Sequence, residues 1–227
     1  MTALLSAEGI MKSFGGTRVL SGITLSVAPG EPVGLFGPNG SGKTTFVNIL
    51  SGLLLPDAGT VRFDGKEITR LPLDARYRLG IARTFQIPHP YPALSVLEAV
   101  RVALSAGKRK EEGGTRQDEE GPTGDLLTRT GLFDQRFVPC AQLSQGCLRR
   151  LEFARGLAHR PKLLILDEIF SALSAADEGD LVALLRAANR DEGTAFLLVS
   201  HNPPLLKDLC RRILVLEEGR IVRERTL

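Results

Sequence analysis

Residues 37–44 have the composition and spacing of a loop that binds phosphate. Their sequence, GPNGSGKT, fits the pattern G-x-x-x-x-G-K-[ST] at every fixed position. Glycines let successive backbone N–H groups curve around phosphate oxygens, and a following helix directs its positive end at the same anion. The pattern therefore predicts a nucleoside triphosphate site, with Lys43 reaching the β- and γ-phosphates and Thr44 binding Mg²⁺.

A second pair of reactive residues ends a short apolar run. Residues 163–166 are Leu-Leu-Ile-Leu, and Asp167 and Glu168 follow directly. Such a run is typical of a parallel strand that is buried on both faces. At its end, Asp167 is expected to hold Mg²⁺, directly or through a water, and Glu168 to polarise the water that attacks the γ-phosphate.

Apolar periodicity and turn signals place these residues in an α/β fold. Strands are predicted at residues 4–10, 23–27, 32–36, 59–63, 162–166 and 195–200. Helices are predicted at residues 43–50, 95–105, 125–132, 145–159 and 175–189, and a short one after Pro203-Pro204. A final hairpin is predicted around residues 217–219. The early strands and the Asp64-Gly65 turn predict an antiparallel flap, and the later alternation of strands and helices predicts a mostly parallel sheet.

Residues 107–124, GKRKEEGGTRQDEEGPTG, contain no large apolar side chain. A segment of this composition does not bury enough surface to offset the entropy of ordering, so it is expected to be a solvated, mobile loop. A basic tail that binds a partner is the alternative. The acidic residues interleaved with the basic ones weigh against it.

Composition narrows the function classes. The chain has 227 residues and a net charge of only +3, and a charge this small does not indicate nucleic-acid binding. Its three cysteines, Cys140, Cys147 and Cys210, form no C-x-x-C pair, which favours a reduced compartment and core roles for Cys140 and Cys210. No secretory signal is expected at the N-terminus, and no apolar run approaches the ~20 residues of a membrane-spanning helix. A membrane role therefore requires another chain.

A third motif connects the two halves of the site. Residues 143–147 are LSQGC, and LRRLEFARGLA follows. This segment resembles the L-S-x-G-Q signature of ABC (ATP-binding cassette) proteins, in its usual place upstream of the Asp-Glu strand. A Ser-Gln-Gly helix start is also a plausible anion site on physical grounds.

The resemblance to ABC ATP-binding subunits extends over essentially the whole chain. It implies an α/β fold: a P-loop NTPase core with a mostly parallel sheet, an N-terminal antiparallel β flap and an inserted helical subdomain. One domain is expected over residues 1–227. Residues 1–86 and 161–227 would form the core and flap, and residues 87–160 the helical subdomain with the mobile loop and the signature.

The resemblance also implies a set of site residues. Gln86 matches the family's glutamine that approaches Mg²⁺ and relays nucleotide state to a partner. His201 matches the histidine that contacts the γ-phosphate, and Phe14 matches the aromatic residue that stacks on adenine. The catalytic residues would be Glu168 and His201. The ATP-binding set is Phe14, Gly37, Pro38, Asn39, Gly40, Ser41, Gly42, Lys43, Thr44, Thr45 and Gln86. The Mg²⁺ set is Thr44, Gln86 and Asp167. The signature residues, acting on a partner's nucleotide, are Leu143, Ser144, Gln145, Gly146 and Cys147.

Three positions depart from the family pattern. Cys147 stands where the signature usually has glutamine, and Ile169 stands where proline commonly follows Asp-Glu. Ser174 stands where many members of the family have Asp or Asn. These differences keep open an asymmetric pair with a different ATPase subunit, as well as an inactive regulatory cassette. A cysteine near a helix N-terminus is also expected to have a reactive thiol.

The resemblance predicts an ATPase subunit of an ABC transporter, located in the cytoplasm on the inner face of the membrane, with ATP and Mg²⁺ as cofactors. Its partners would be integral membrane subunits, a second ATPase subunit of the same or a different kind, and a solute-binding protein, without nucleic acid. Residues 87–96, with Tyr91 and Leu94, are expected to form a groove for a short helix of a membrane subunit.

The segments ARTFQ, SFGG and RRLEFARGLA are most similar to ATPase subunits of branched-chain amino acid importers. Import of such amino acids or related small molecules is therefore the expected transport function. The alternatives are an ATPase of a lipid or lipopolysaccharide exporter and a soluble ABC protein acting in DNA repair or translation.

Overall fold

The computed structural model describes residues 3–84, 91–106 and 116–226, with the backbone alone for residues 116–120. The strands are β1 (Leu5–Phe14), β2 (Thr17–Val27), β3 (Pro32–Phe36), β4 (Ala58–Phe63), β5 (Lys66–Glu67), β6 (Ile81–Arg83), β7 (Leu163–Asp167), β8 (Ala195–Ser200), β9 (Arg212–Glu217) and β10 (Arg220–Thr226). The helices are α1 (Lys43–Ser51), α2 (Leu73–Leu79), α3 (Val96–Ser105), α4 (Arg116–Arg129), α5 (Gln145–Leu157), α6 (Ala175–Glu192) and α7 (Pro203–Leu209).

The strands form two sheets with different connectivity. One has the order β10-β9-β3-β8-β7-β6 and is parallel except for the β9–β10 hairpin. The other is antiparallel, with the order β2-β1-β4-β5. The expected α/β fold, with a mostly parallel sheet and an N-terminal antiparallel flap, is confirmed.

The register of the parallel sheet brings three strand ends together. Phe36 at the end of β3 pairs with Ser200 at the end of β8, and Asp167 at the end of β7 pairs with Val199. The carboxyl ends of β3, β7 and β8 therefore meet at one edge. In open α/β sheets, ligands bind at this edge.

Apolar side chains bury both faces of the parallel sheet. Along β7, Leu163 and Ile165 pack into the core layer that includes the flap and α1. Leu164 and Leu166 pack into the opposite layer, with α3, α5 and α6. Successive side chains of a strand point to opposite faces, so a continuous apolar run is what burial on both sides requires.

Arg76 fixes the C-terminal end of α1. It is fully buried, and its guanidinium donates to the carbonyls of Ile49 and Leu50 in the last turn of α1 at 2.7 and 2.8 Å. It also donates to the carbonyls of Thr69 and Leu71 at 2.9 Å each. Burial lowers the pKa of Arg76 to about 10, so it stays charged at neutral pH and complements the negative end of the helix.

The structure corrects the loop predicted over residues 107–124. Helix α4 begins at Arg116, so residues 116–124 are helical, and residues 107–115 lie outside the described ranges. The side chains of Leu126 and Leu127 are buried and anchor this helix, and Thr123 is buried one turn before them. The anchored part supplies the nucleus, so the preceding residues join the helix without the cost of nucleation, despite Gly121 and Pro122 within it.

Among the short elements, α2, β5 and β6 were not predicted. Seven, two and three residues are too few to show a helical or strand period above their neighbours. Across the described ranges, no helix is both long and apolar enough to cross a membrane.

Candidate functional site

The loop predicted to bind phosphate connects β3 to α1 and passes very close to neighbouring backbone. A Cβ added at Gly37 would overlap the carbonyl oxygen of Leu216. Gly42 has a φ of +102°, and a Cβ there would lie 2.7 Å from Leu20 Cδ2. Only glycine fits both positions without displacing these neighbours.

Helix α1 begins without a side-chain cap. Its N-cap is Gly42, whereas α3, α5 and α6 each begin after a serine whose hydroxyl accepts a backbone N–H. The first N–H groups of α1 are therefore left for a ligand, and they lie at the positive end of the helix. The buried hydroxyl of Ser41 also has no hydrogen-bond partner within the described residues. These donors fit a bound phosphate group.

Lys43 folds back over the same loop. Its side chain is buried, and its ammonium group donates to the carbonyls of Gly37 and Pro38 at 2.7 and 2.9 Å. These contacts are with neutral carbonyl groups and not with a carboxylate. A phosphate oxygen is a stronger, charge-assisted acceptor for the same ammonium group.

Two carboxylates from the end of β7 face this loop. Asp167 and Glu168 are 1% and 8% exposed. Glu168 has a φ of +50°, a left-handed conformation that is rare for a residue with a side chain and is common at functional sites. Its Oε2 lies 3.0 Å from Nδ1 of His201, which follows β8. The sheet thus brings the two predicted catalytic residues into contact.

Loop and carboxylates enclose a cavity of about 330 Å³. Its lining consists of Val19, Asn39, Gly40, Gly42, Lys43, Thr44, Thr45, Asp167 and Glu168. The Thr44 hydroxyl and the Asp167 carboxylate are oxygen donors of the kind Mg²⁺ prefers. Mg²⁺ is six-coordinate, so an ion held by these two residues also needs nucleotide phosphates and water. The donor set therefore fits Mg²⁺ together with a triphosphate.

Arg83, which was not among the predicted site residues, is paired with Asp167. Its Nη2 lies 2.9 Å from Asp167 Oδ2, and the two side chains are 4% and 2% exposed. Its Nη1 donates to Asn48 Oδ1 and Ser51 Oγ on α1, at 2.6 and 3.2 Å. Burial lowers the pKa of Arg83, and the charge of Asp167 opposes that shift. An arginine that ends the otherwise apolar strand Ile81–Arg83 was the available signal.

The predicted adenine-stacking residue, Phe14, is not among those that line the cavity. Phe14 lies at the end of β1, is 48% exposed, and has the Lys12 ammonium group 5.6 Å from its ring centroid. Val19 of β2 supplies the apolar side chain of the cavity wall instead. Gln86 lies outside the described residues.

The signature residues lie apart from the cavity of their own chain. Ser144 caps α5 by accepting the N–H of Cys147 at 3.2 Å, and both Ser144 and Gln145 are exposed. Gly146 is buried against α6, where an added Cβ would overlap the carboxylate of Asp177. The exposed helix start is therefore directed away from the core and is held in place by the start of α6.

The three departures from the family pattern have roles inside the chain. Cys147 and Ile169 are 5% and 1% exposed and belong to the core beside α5 and α6. The hydroxyl of Ser174 donates to Asp177 Oδ2 at 2.7 Å and accepts the Asp177 N–H at 3.2 Å, which caps α6. Burial of the Cys147 thiol opposes the reactivity expected from its helix position.

The other two cysteines lie in the core, as expected. Cys140 and Cys210 are 1% and 6% exposed. Burial raises the pKa of both thiols, that of Cys210 to about 12. Both therefore stay protonated and act as small apolar side chains.

Comparison with known proteins identifies relatives over the whole chain. Residues 20–171 match the family model described as ABC transporter. The lipoprotein-releasing system ATP-binding protein LolD 1 of Caulobacter vibrioides is 36% identical over 230 residues, which cover 97% of this chain and 95% of that protein. The methionine import ATP-binding protein MetN of Brucella abortus is 34% identical over 226 residues, covering 97% of this chain but only 59% of MetN.

The fold also matches solved structures of ATP-binding cassettes. A dimeric, post-hydrolysis structure of the cassette MJ0796, bound to ADP and Pi, superposes with a TM-score of 0.88 and 26% identity. The match covers 98% of each chain.

Substitution of Gly146 tests the contact between the signature segment and α6. We predict that Gly146→Ala lowers the free energy of unfolding by about 0.5–1.5 kcal/mol, because the added methyl must displace the Asp177 carboxylate from its hydrogen bond with Ser174. Urea denaturation measures the change. The control is Gly179→Ala within α6, where a Cβ meets nothing within 4 Å and alanine is the better helix former. Equal stability of the two variants would contradict this contact.

Proposed function

The chain belongs to the ABC transporter family and is an ATPase, and from that premise we propose that it drives transport by hydrolysing ATP in the cavity between residues 37–45 and the end of β7. The observation that carries the proposal is the convergence of an uncapped helix N-terminus, a buried lysine and two buried carboxylates on one cavity. In this arrangement the N–H groups of α1 and the Lys43 ammonium group face an anionic substrate from one side. The two carboxylates that would act on the substrate lie on the other side.

In this proposal the loop residues hold the triphosphate. Backbone N–H groups of residues 40–45 bind its phosphate oxygens, and Lys43 exchanges the carbonyls of Gly37 and Pro38 for the β- and γ-phosphates. Thr44 and Asp167, with Gln86, are the residues that hold Mg²⁺, which neutralises phosphate charge when bound. Phe14, which is 48% exposed, is the residue proposed to offer its ring to the adenine.

Glu168 is the proposed group that activates water. Its buried carboxylate orients a water for in-line attack on the γ-phosphorus and draws its proton as attack proceeds. His201 contacts Glu168 Oε2 through Nδ1, which leaves its Nε2 to donate to the γ-phosphate. The left-handed backbone at Glu168 turns its side chain out of the strand direction and toward the cavity.

The signature residues act on the nucleotide of a second cassette. Ser144 and Gln145 are exposed at a helix start and do not line their own cavity, so their anion-binding groups are available to a partner. We assign that partner to a second copy of this chain. Cys147, Ile169 and Ser174 serve the chain's own core and cap, so they give no reason for a different subunit. The dimeric structure of MJ0796 supports such a pairing.

A groove between the core and the helical segment is the proposed contact with membrane subunits. It has a volume of about 460 Å³ and lies between α2 and β6 on one side and α3 and α5 on the other. Tyr91 and Val102, 46% and 42% exposed, supply apolar surface, and Arg78 and Arg155 lie among its charged residues. An amphipathic helix of a membrane subunit matches this pattern of apolar floor and polar rim.

Of the segment predicted to form the groove, residues 87–90 lie outside the described residues, and Leu94 does not line this surface. Leu94 is partly buried, and its carbonyl accepts the N–H of Cys140. Tyr91 and Val102 are therefore the side chains whose substitution tests the groove.

The proposed cargo is a small solute, with branched-chain amino acids as the first candidate. This rests on the segments ARTFQ, SFGG and RRLEFARGLA. The names of two relatives refer to lipoprotein release and to methionine import. These are different classes of cargo, so the relatives do not identify the cargo of this chain. Selectivity belongs to the membrane subunits and, for an importer, to a solute-binding protein. The proposed location is the cytoplasmic face of the membrane.

Replacing Glu168 separates binding from turnover. We predict that Glu168→Gln lowers the ATPase rate by about 10²–10⁴-fold, because an amide does not draw a proton from water. ATP affinity should be unchanged, since Lys43 and the loop are intact. Steady-state phosphate release and equilibrium binding of a fluorescent ATP analogue give the two values. Glu8→Gln, at an exposed glutamate of β1, is the control. A wild-type ATPase rate in Glu168→Gln would show that Glu168 does not activate the water. Hydrolysis retained in Lys43→Ala would show that the phosphate loop does not hold the ATP.

Charge placed in the groove tests the membrane contact. We predict that Tyr91→Glu and Val102→Glu each reduce recovery of membrane subunits with a tagged chain by about tenfold, as loss of a central apolar contact does. The ATPase rate of the isolated chain should not change. Quantitative mass spectrometry after affinity purification in mild detergent measures the recovery. Val222→Glu, at an exposed valine of β10, is the matched control. Full recovery with both groove variants would contradict the proposed contact.

A further inference from the structure

The buried ion pair between Arg83 and Asp167 connects three elements around the cavity. Arg83 ends β6, Asp167 ends β7, and the second branch of the guanidinium reaches Asn48 and Ser51 on α1. Thr44, Asn48 and Ser51 are four and three residues apart, so they lie along one face of α1. The face of α1 that carries the proposed Mg²⁺ ligand Thr44 is thus the face that Arg83 holds.

Asp167 is held from two sides by consecutive residues. Arg83 Nη2 lies 2.9 Å from Asp167 Oδ2. The backbone N–H of Asp167 donates to the Thr84 hydroxyl at 3.3 Å. The side chains of Arg83 and Asp167 are almost completely buried, so the pair is weakly screened. Asp167 also lines the cavity, so Arg83 holds a carboxylate that faces the proposed Mg²⁺ site.

From this geometry we propose that Arg83 is a positioning residue that sets Thr44 and Asp167 at the spacing that Mg²⁺ requires. The proposal rests on the proposed function of this cavity. A guanidinium suits the task because its rigid fork presents several donors in one plane and can bond a carboxylate and an amide oxygen together. Groups that orient a metal ligand in this way typically contribute about 10–100-fold to metal affinity.

The test measures the gain in ATP affinity that Mg²⁺ produces, independently of turnover. Binding of a fluorescent ATP analogue to the full chain is measured in excess Mg²⁺ and in excess EDTA, and the ratio of the two dissociation constants is the gain. We predict that Arg83→Met lowers this gain by about tenfold, with affinity in EDTA unchanged. Asn48→Leu, which removes one tether of Arg83 and leaves the ion pair intact, should lower the gain by about threefold.

Arg83→Lys distinguishes position from charge. A lysine keeps a positive charge beside Asp167, but its single ammonium group does not bridge to α1 with the same geometry. We predict a reduced gain for Arg83→Lys, between those of the wild type and Arg83→Met. Thermal unfolding of each variant is measured alongside, because removing one partner of a buried pair can prevent folding. If Arg83→Met does not fold, Asn48→Leu and Arg83→Lys decide the outcome.

Arg186→Met is the control, since Arg186 forms a pair with Asp208 in which both side chains are more than half exposed. A wild-type gain in folded Asn48→Leu and Arg83→Lys would overturn the positioning role. If the wild-type chain binds ATP but shows no gain with Mg²⁺, the proposed Mg²⁺ site itself is wrong. The two failures are therefore distinguishable.

Discussion

The structure depends on how it holds four charged side chains out of water at one edge of a parallel sheet. Lys43, Asp167 and Glu168 are each less than a tenth exposed, and the Arg83 side chain is 4% exposed. Burying charge is unfavourable unless each group has a partner, so the surrounding backbone must supply partners at fixed positions. The carbonyls of residues 37 and 38 accept from Lys43, and Arg83 is paired with Asp167. Asn48 and Ser51 accept from Arg83, and His201 contacts Glu168.

This constraint explains why the loop, helix α1 and strand β7 form one unit. Arg76 fixes the last turn of α1, and Gly42 begins its first turn, so the helix is defined at both ends. Arg83 joins that helix to Asp167 and also lines the groove proposed for the membrane subunits. The short strand β6 therefore lies between the surface that would contact a transporter and the carboxylate that would hold Mg²⁺.

Local patterns in the sequence predict much of this arrangement. The apolar run before Asp167 predicts β7, and the glycines before Lys43 predict the loop and the start of α1, because these signals lie within a few residues. The contact between Arg83 and Asp167 joins residues 84 positions apart, so it depends on β6 lying next to β7, which no local pattern reveals. For the same reason, the sequence did not predict that Cys147 is buried, which depends on how α5 packs against its neighbours.

Complementation between two defective variants most directly tests the proposed site between two copies of the chain. Lys43→Ala removes the phosphate contact, and Ser144→Asp keeps a residue that caps α5 but places a negative charge where the partner's phosphate would bind. Each variant alone should be inactive. In an equal mixture, half of the dimers contain both variants, and each of these has one intact site out of two. The mixture should therefore recover about a quarter of the wild-type ATPase rate. Ser144→Asn, with a neutral cap, should retain activity. No recovery in a mixture shown to contain mixed dimers would contradict a site built from two copies of this chain.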